Sequence, residues 1–116
     1  MSRQDCLFCK IIKKEIKATI IYEDDSILAF EDINPQAPIH ILIIPKKHIA
    51  TTNDLLEADR NLIGEIVLVA QKIAVMKGIA KEGYRIVNNC NQAGGQAVYH
   101  IHFHLLGGRN LSWPPG

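Results

Sequence analysis

His100-Ile101-His102-Phe103-His104-Leu105-Leu106 is the stretch on which the reading of this chain turns. Histidine alternates with a bulky apolar residue, and successive side chains of a β-strand point to opposite faces. The pattern predicts a strand over residues 98–106 with His100, His102 and His104 on one face and Ile101, Phe103 and Leu105 on the other. One histidine on an apolar strand is commonly a core residue. Three at alternate positions each need hydrogen-bond partners of their own, which points to a built site.

Working outward, residues 84–88 read as a second strand, joined to the first by the polar, glycine-bearing segment 89–97. His40-Ile41-Leu42-Ile43-Ile44 is short, apolar, rich in β-branched residues and closed by Pro45, as a central strand would be. Residues 19–23 and 27–31 read as two more strands separated by the turn residues Asp24, Asp25 and Ser26. From about residue 54 to residue 77, apolar residues recur at helical spacing: Leu55, Leu62, Ile63, Ile66, Val67, Ala70, Ile73 and Ala74. Gly78 then suits a C-cap. A short helix is predicted over residues 8–14. The fold class is α+β: a five-stranded antiparallel sheet, one long helix and a short N-terminal helix.

A chain of 116 residues, 47% hydrophobic and 22% charged, suits one domain spanning residues 1–116. The 13 basic and 12 acidic residues are interspersed and leave a net charge of +1, which argues against a nucleic-acid polymer or an anionic membrane as partner. The opening MSRQDCLFCK has no apolar signal core, and no apolar run is long enough to span a bilayer, so a cytoplasmic location is expected. Three cysteines without a secretion signal argue for reduced thiols or metal ligands over a disulfide framework. Cys90 reads as a small buried residue.

The three histidines admit two chemistries: a metal site, or a site where one imidazole attacks while its neighbours orient it. Spacing does not decide between them. The segment Asn88-Asn89-Cys90-Asn91-Gln92-Ala93-Gly94-Gly95-Gln96 favours the second, because its glycines let backbone N–H groups approach an anion such as phosphate. Cys6-x-x-Cys9 is too short to specify zinc, and a redox pair or coincidence explains it equally well.

His-x-His-x-His followed by two apolar residues resembles the signature of the histidine triad family. Residues 30–38 and 44–49, together with Gly94-Gly95-Gln96, Tyr99 and Gly107-Gly108-Arg109, extend the resemblance over nearly the whole chain, towards the nucleotide-binding phosphoramidase branch. It implies hydrolysis of the P–N bond of adenosine 5′-monophosphoramidates through a nucleotidyl-histidine on His102, with His104 at the phosphate and His40 as an additional active-site histidine. It further implies phosphate contacts from Asn89, Gly95, Gln96 and Ala97, ribose recognition by Asp32, and a purine slot of Phe8, Ile11, Phe30 and Ile33. Ala97 departs from the pattern, since many relatives carry serine there.

The resemblance also implies a structural zinc held by Cys6, Cys9, His48 and His100, no cofactor for the chemistry itself, and a homodimer. In such a dimer the long helix and residues 84–87 meet their copies, and Trp113 approaches the partner's pocket. The competing functions are a non-catalytic purine nucleotide-binding or scaffolding module, a dinucleoside polyphosphate hydrolase, and a hydrolase with a catalytic metal on the triad.

Overall fold

The structure, a computed structural model, describes residues 5–116. Helix α1 (Leu7–Ile12) precedes strands β1 (Ile20–Glu23), β2 (Ile27–Glu31) and β3 (Ile39–Pro45). Two 3-10 turns (Thr52–Asp54 and Glu57–Asp59) lead into helix α2 (Arg60–Met76), followed by β4 (Tyr84–Asn88) and β5 (Phe103–Gly107). The strands form one sheet in the order β1-β2-β3-β5-β4, with every neighbouring pair antiparallel. This is the α+β architecture that the sequence predicts.

The sheet's centre is covered on both faces, which explains why residues 41–44 are continuously apolar and do not alternate with polar residues. Ile41 and Ile43 of β3, Ile27 and Ala29 of β2 and Leu105 of β5 pack with Ile66, Val69, Ala70, Ile73 and Ala74 of α2. Leu42, Ile44, Leu28 and Phe30 point the other way, against Phe8, Cys9 and Ile11 of α1. A six-residue helix is marginal in isolation, so α1 depends on this packing and on its cap, where the Cys6 sulfur accepts the Cys9 N–H.

Two boundaries differ from the sequence reading. Helix α2 starts at Arg60 and not near residue 54, because capping side chains stop the chain twice beforehand. Asp54 accepts from the Thr51 N–H and hydroxyl, and Asp59 accepts from the Leu56 N–H and the Lys47 ammonium. Leu55 therefore lies between the two turns, and Val67, expected on the packed face, is 45% exposed. Gly78 follows the helix with φ +73°, as expected of a C-cap.

The second difference concerns the triad. The ladder of β5 begins only at Phe103, so His100 and His102 lie on irregular backbone before the strand. The three histidines still share the α1 side, since Phe8 packs against the rings of both His100 and His102, and His102 packs against His104.

Candidate active site

On the α1 side of the sheet, Phe8, Ile11, Phe30, Asp32, Ile33, Ala97, His102 and His104 line one cavity of about 260 Å³, with Leu7, Ile16, Lys17, Ala18, Glu31, Leu42 and Val98 completing its wall. Aromatic and aliphatic side chains occupy most of the wall and the imidazoles gather at one place, the usual makeup of a small-molecule site. Phe8 and Phe30 meet edge to face with centroids 5.4 Å apart. Ile33 is 97% exposed, so it caps the cavity from outside and is not a core residue. A roomier cleft of about 380 Å³ between Tyr22, Asp24 and α2 contains no histidine or cysteine.

The hydrogen-bond partners of the histidines fix their tautomers. His40 and His104 are diagonal neighbours on β3 and β5, where Leu42 faces His104 and His40 faces Leu106. The Gln36 N–H, which can only donate, lies 3.0 Å from His40 Nδ1. His40, when neutral, therefore carries its proton on Nε2, which lies 2.9 Å from His104 Nδ1 and 3.4 Å from the Asp32 carboxylate. His104 Nδ1 is thereby the acceptor, and its proton resides on Nε2. That buried Nε2–H has no hydrogen-bond partner among the described residues, as expected of a donor set aside for a ligand.

His102 has the opposite tautomer. Its Nδ1 donates to the His100 carbonyl at 2.8 Å, which leaves the Nε2 lone pair for the cavity the ring lines. Burial lowers the pKa of His40 and His102, and burial with neighbouring imidazoles pushes that of His104 down to about 4. The arrangement thus presents a neutral nucleophile beside a neutral N–H donor. Asp32, His40 and His104 also form a potential cation-binding group. The Gln36 N–H disfavours that use, because a metal on His40 Nε2 would force the ring proton onto the nitrogen that already accepts.

Behind His102 the thiols of Cys6 and Cys9 and the rings of His48 and His100 converge, with ligand atoms all within 4.8 Å of one another. The His100 Nε2–H donates to the Pro45 carbonyl at 2.8 Å, so Nδ1 turns to the thiols. Burial pushes the pKa of His100 down to about 4 and keeps that lone pair available. These four residues, drawn from α1, the segment after β3 and the approach to β5, could hold a metal ion.

Three residues expected at the phosphate stand apart from the cavity wall: Asn89, Gly95 and Gln96. The Gly95 and Gln96 N–H groups are taken by the Gln92 and Asn91 carbonyls. The Gln96 amide accepts from Asn91 N–H and donates to the Ala50 and Val98 carbonyls, so Gln96 braces the loop. Gly94 serves a close approach, since a Cβ there would lie 2.5 Å from the Cys90 carbonyl oxygen. Of the expected phosphate residues, Ala97 lines the cavity and offers no hydroxyl. The sequence reading gave no role to Gln36, whose backbone N–H bonds to His40, and none to Asn88 beyond its place in the segment 88–96, although its side chain donates to the His102 carbonyl.

Known proteins resemble this chain over nearly its whole length. The HIT domain family matches residues 13–111. The chain is 53% identical over 113 residues to an uncharacterized HIT-like protein of Synechococcus elongatus, covering 97% of this chain and 98% of that one. It is 53% identical over 108 residues to a purine nucleoside phosphoramidase of Escherichia coli, covering 93% and 91%. The crystal structure of a HIT family hydrolase from Legionella pneumophila superposes with a TM-score of 0.95 at 59% identity, covering 97% of this chain and all of that one, 100%. The chain belongs to the histidine triad family.

Proposed function

We propose that this protein is a purine nucleoside phosphoramidase that hydrolyses adenosine 5′-monophosphoramidates to AMP and an amine. The observation that carries the reading is the pairing of opposite tautomers: a free His102 Nε2 lone pair beside an unpartnered His104 Nε2–H, both at one end of an apolar cavity. The similarity to the phosphoramidase of Escherichia coli supports the same reaction.

The base lies between Phe8, Ile11, Phe30 and Ile33, and Asp32 accepts from the ribose hydroxyls with Oδ2, the oxygen not used by the Asn34 N–H. His102 Nε2 attacks phosphorus, the P–N bond breaks, and the departing amine takes a proton from solvent. The product of this step is a nucleotide bonded to His102. Water then attacks the same phosphorus, releases AMP and neutral His102, and returns a proton. His104, being neutral, acts as a hydrogen-bond donor to the phosphoryl oxygens as charge builds there, and His40 holds its Nε2–H in that direction. Ala97 contributes no side-chain donor, and the reaction needs no cofactor.

Cys6, Cys9, His48 and His100 fit a structural zinc. Tetrahedral Zn–S and Zn–N bonds place neighbouring ligand atoms about 3.3–3.8 Å apart. The observed separations are 3.5 Å for Cys6 Sγ to His100 Nδ1, 3.3 Å for Cys9 Sγ to His48 Nδ1, 3.6 Å for Cys9 Sγ to His100 Nδ1 and 3.1 Å between the two imidazoles. When bound, the ion supplies a cross-link between α1 and the chain ahead of β5, and a cytoplasmic location would keep its thiols reduced. A homodimer is supported by Leu68, Val75 and Met76, exposed on α2, and by the position of β4 at the sheet's edge. No helix among the described residues is long and apolar enough to cross a membrane.

The test is AMP release from adenosine 5′-phosphoramidate by wild type and His102→Ala. Turnover lost in the variant supports the reading. An inactive wild type, with nucleotide still bound, moves the non-catalytic binding module ahead.

A further inference from the structure

We propose that Asn88 is a positioning residue for the nucleophile: its side-chain amide, fixed by Thr52, holds the main-chain carbonyl of His102 and through it the attacking imidazole. The inference rests on the reaction proposed above. The β4–β5 ladder ends at the pair Asn88 and Phe103, so His102 lies one residue beyond the last strand pairing. Its backbone must be held by other means.

Asn88 Nδ2 donates to the His102 carbonyl at 3.0 Å, and the Thr52 hydroxyl donates to Asn88 Oδ1. These contacts determine the amide's orientation, because a carbonyl can only accept and so the NH2 must face His102. The hydroxyl of Thr52 then faces the oxygen. The same side of the chain is gripped nearby, where the Ile101 N–H donates to the Ile49 carbonyl at 2.6 Å and Gln96 donates to the Ala50 carbonyl at 2.8 Å. Residues 49–52 thus act as a rail for the irregular backbone that carries His102.

The ring itself is held through Nδ1 by the His100 carbonyl at 2.8 Å. Asn88 fixes the peptide on the other side of the same residue. Since Asn88 does not line the cavity, its influence on a bound nucleotide passes through His102. A small displacement of an attacking atom lowers the rate strongly while ground-state binding is preserved.

The experiment compares wild type with Asn88→Ala, Thr52→Val and Thr52→Ser, using adenosine 5′-phosphoramidate kinetics, thermal melting and long-range 1H–15N spectra of the His102 ring. Asn88→Ala is expected to lower kcat about tenfold with KM changed by less than about twofold. Thr52→Val should move kcat in the same direction, whereas Thr52→Ser, which keeps the hydroxyl, should restore it. The spectra should show the single Nδ1–H tautomer of His102 in wild type and a mixture in Asn88→Ala. Wild-type kcat and an unchanged His102 tautomer in Asn88→Ala, with only the melting temperature lowered, would overturn the proposal and leave Asn88 as a brace of the sheet. If wild type itself releases no AMP, the proposed reaction fails, and the spectra alone still decide the role of Asn88.

Discussion

His40 Nε2 lies 2.9 Å from His104 Nδ1, and this contact determines that His104 presents an N–H, not a lone pair, to the nucleotide cavity. The direction originates in the backbone N–H of Gln36, which occupies the other nitrogen of His40. His40 thus acts one residue removed from the reacting atoms.

Replacement of His40 by alanine leaves the Gln36 N–H and His104 Nδ1 without that partner. Stability should fall by about 1–3 kcal/mol, measured by urea denaturation. AMP release should slow by about tenfold or more as His104 becomes free to turn its lone pair to the phosphate. A variant with wild-type rate and stability would contradict the tautomer assignment.

The pH dependence follows from burial. His40 and His102 have lowered pKa values and His104 is pushed down to about 4, whereas the unfolded rings keep about 6.5. Below about pH 6.5 the unfolded state binds more protons than the folded one, so the stability associated with neutral rings is complete above that value and declines as pH falls towards 4. The urea midpoint should therefore drop on acidification through this window. The acid limb of kcat/KM, which reports the free enzyme, should lie below pH 6.5. An acid limb centred at or above that value would show that the nucleophile is not held neutral.

Metal analysis of protein purified without added chelator should find about one zinc per chain. Cys6→Ser and Cys9→Ser should each lose the ion and melt at a lower temperature, since the ion ties α1 to the chain ahead of β5. Full metal loss with an unchanged melting temperature would remove the structural role.

Ala97→Ser adds a hydroxyl at the cavity wall. A hydrogen bond there worth about 0.5–1.5 kcal/mol should raise kcat about two- to tenfold, read from initial rates of AMP release. An unchanged kcat would mean that residue 97 does not reach the reacting phosphate.

Much of this was legible in the sequence because it is local. The run of residues 40–44, the alternation across His100 to His104 and the apolar repeat of α2 each report a face to be buried, and the structure buries those faces. The start of α2 was not legible, because two capping aspartates, Asp54 and Asp59, override helical spacing through side-chain hydrogen bonds. The start of β5 was placed too early because alternation marks extended backbone without saying where strand pairing begins. His100 and His102 keep the alternation while the Ile101 N–H bonds to the Ile49 carbonyl and the His102 carbonyl accepts from Asn88. In the site, Cys6, Cys9, His48 and His100 were named by resemblance, and their convergence depends on long-range packing. Gly95 and Gln96 were named at the phosphate by resemblance, from their place before His100, and that place does not tell that their N–H groups bond to the Gln92 and Asn91 carbonyls. The tautomers of His40 and His104 were out of reach, since a backbone N–H from Gln36 decides them.

The most direct test of the central claim is to mix wild-type protein with adenosine 5′-phosphoramidate, quench within the first turnover and map the covalent adduct by mass spectrometry. An AMP group on the peptide that carries His102, absent in His102→Ala, is the predicted result. Rapid AMP release with no adduct at any quench time, and with His102→Ala as fast as wild type, would contradict it.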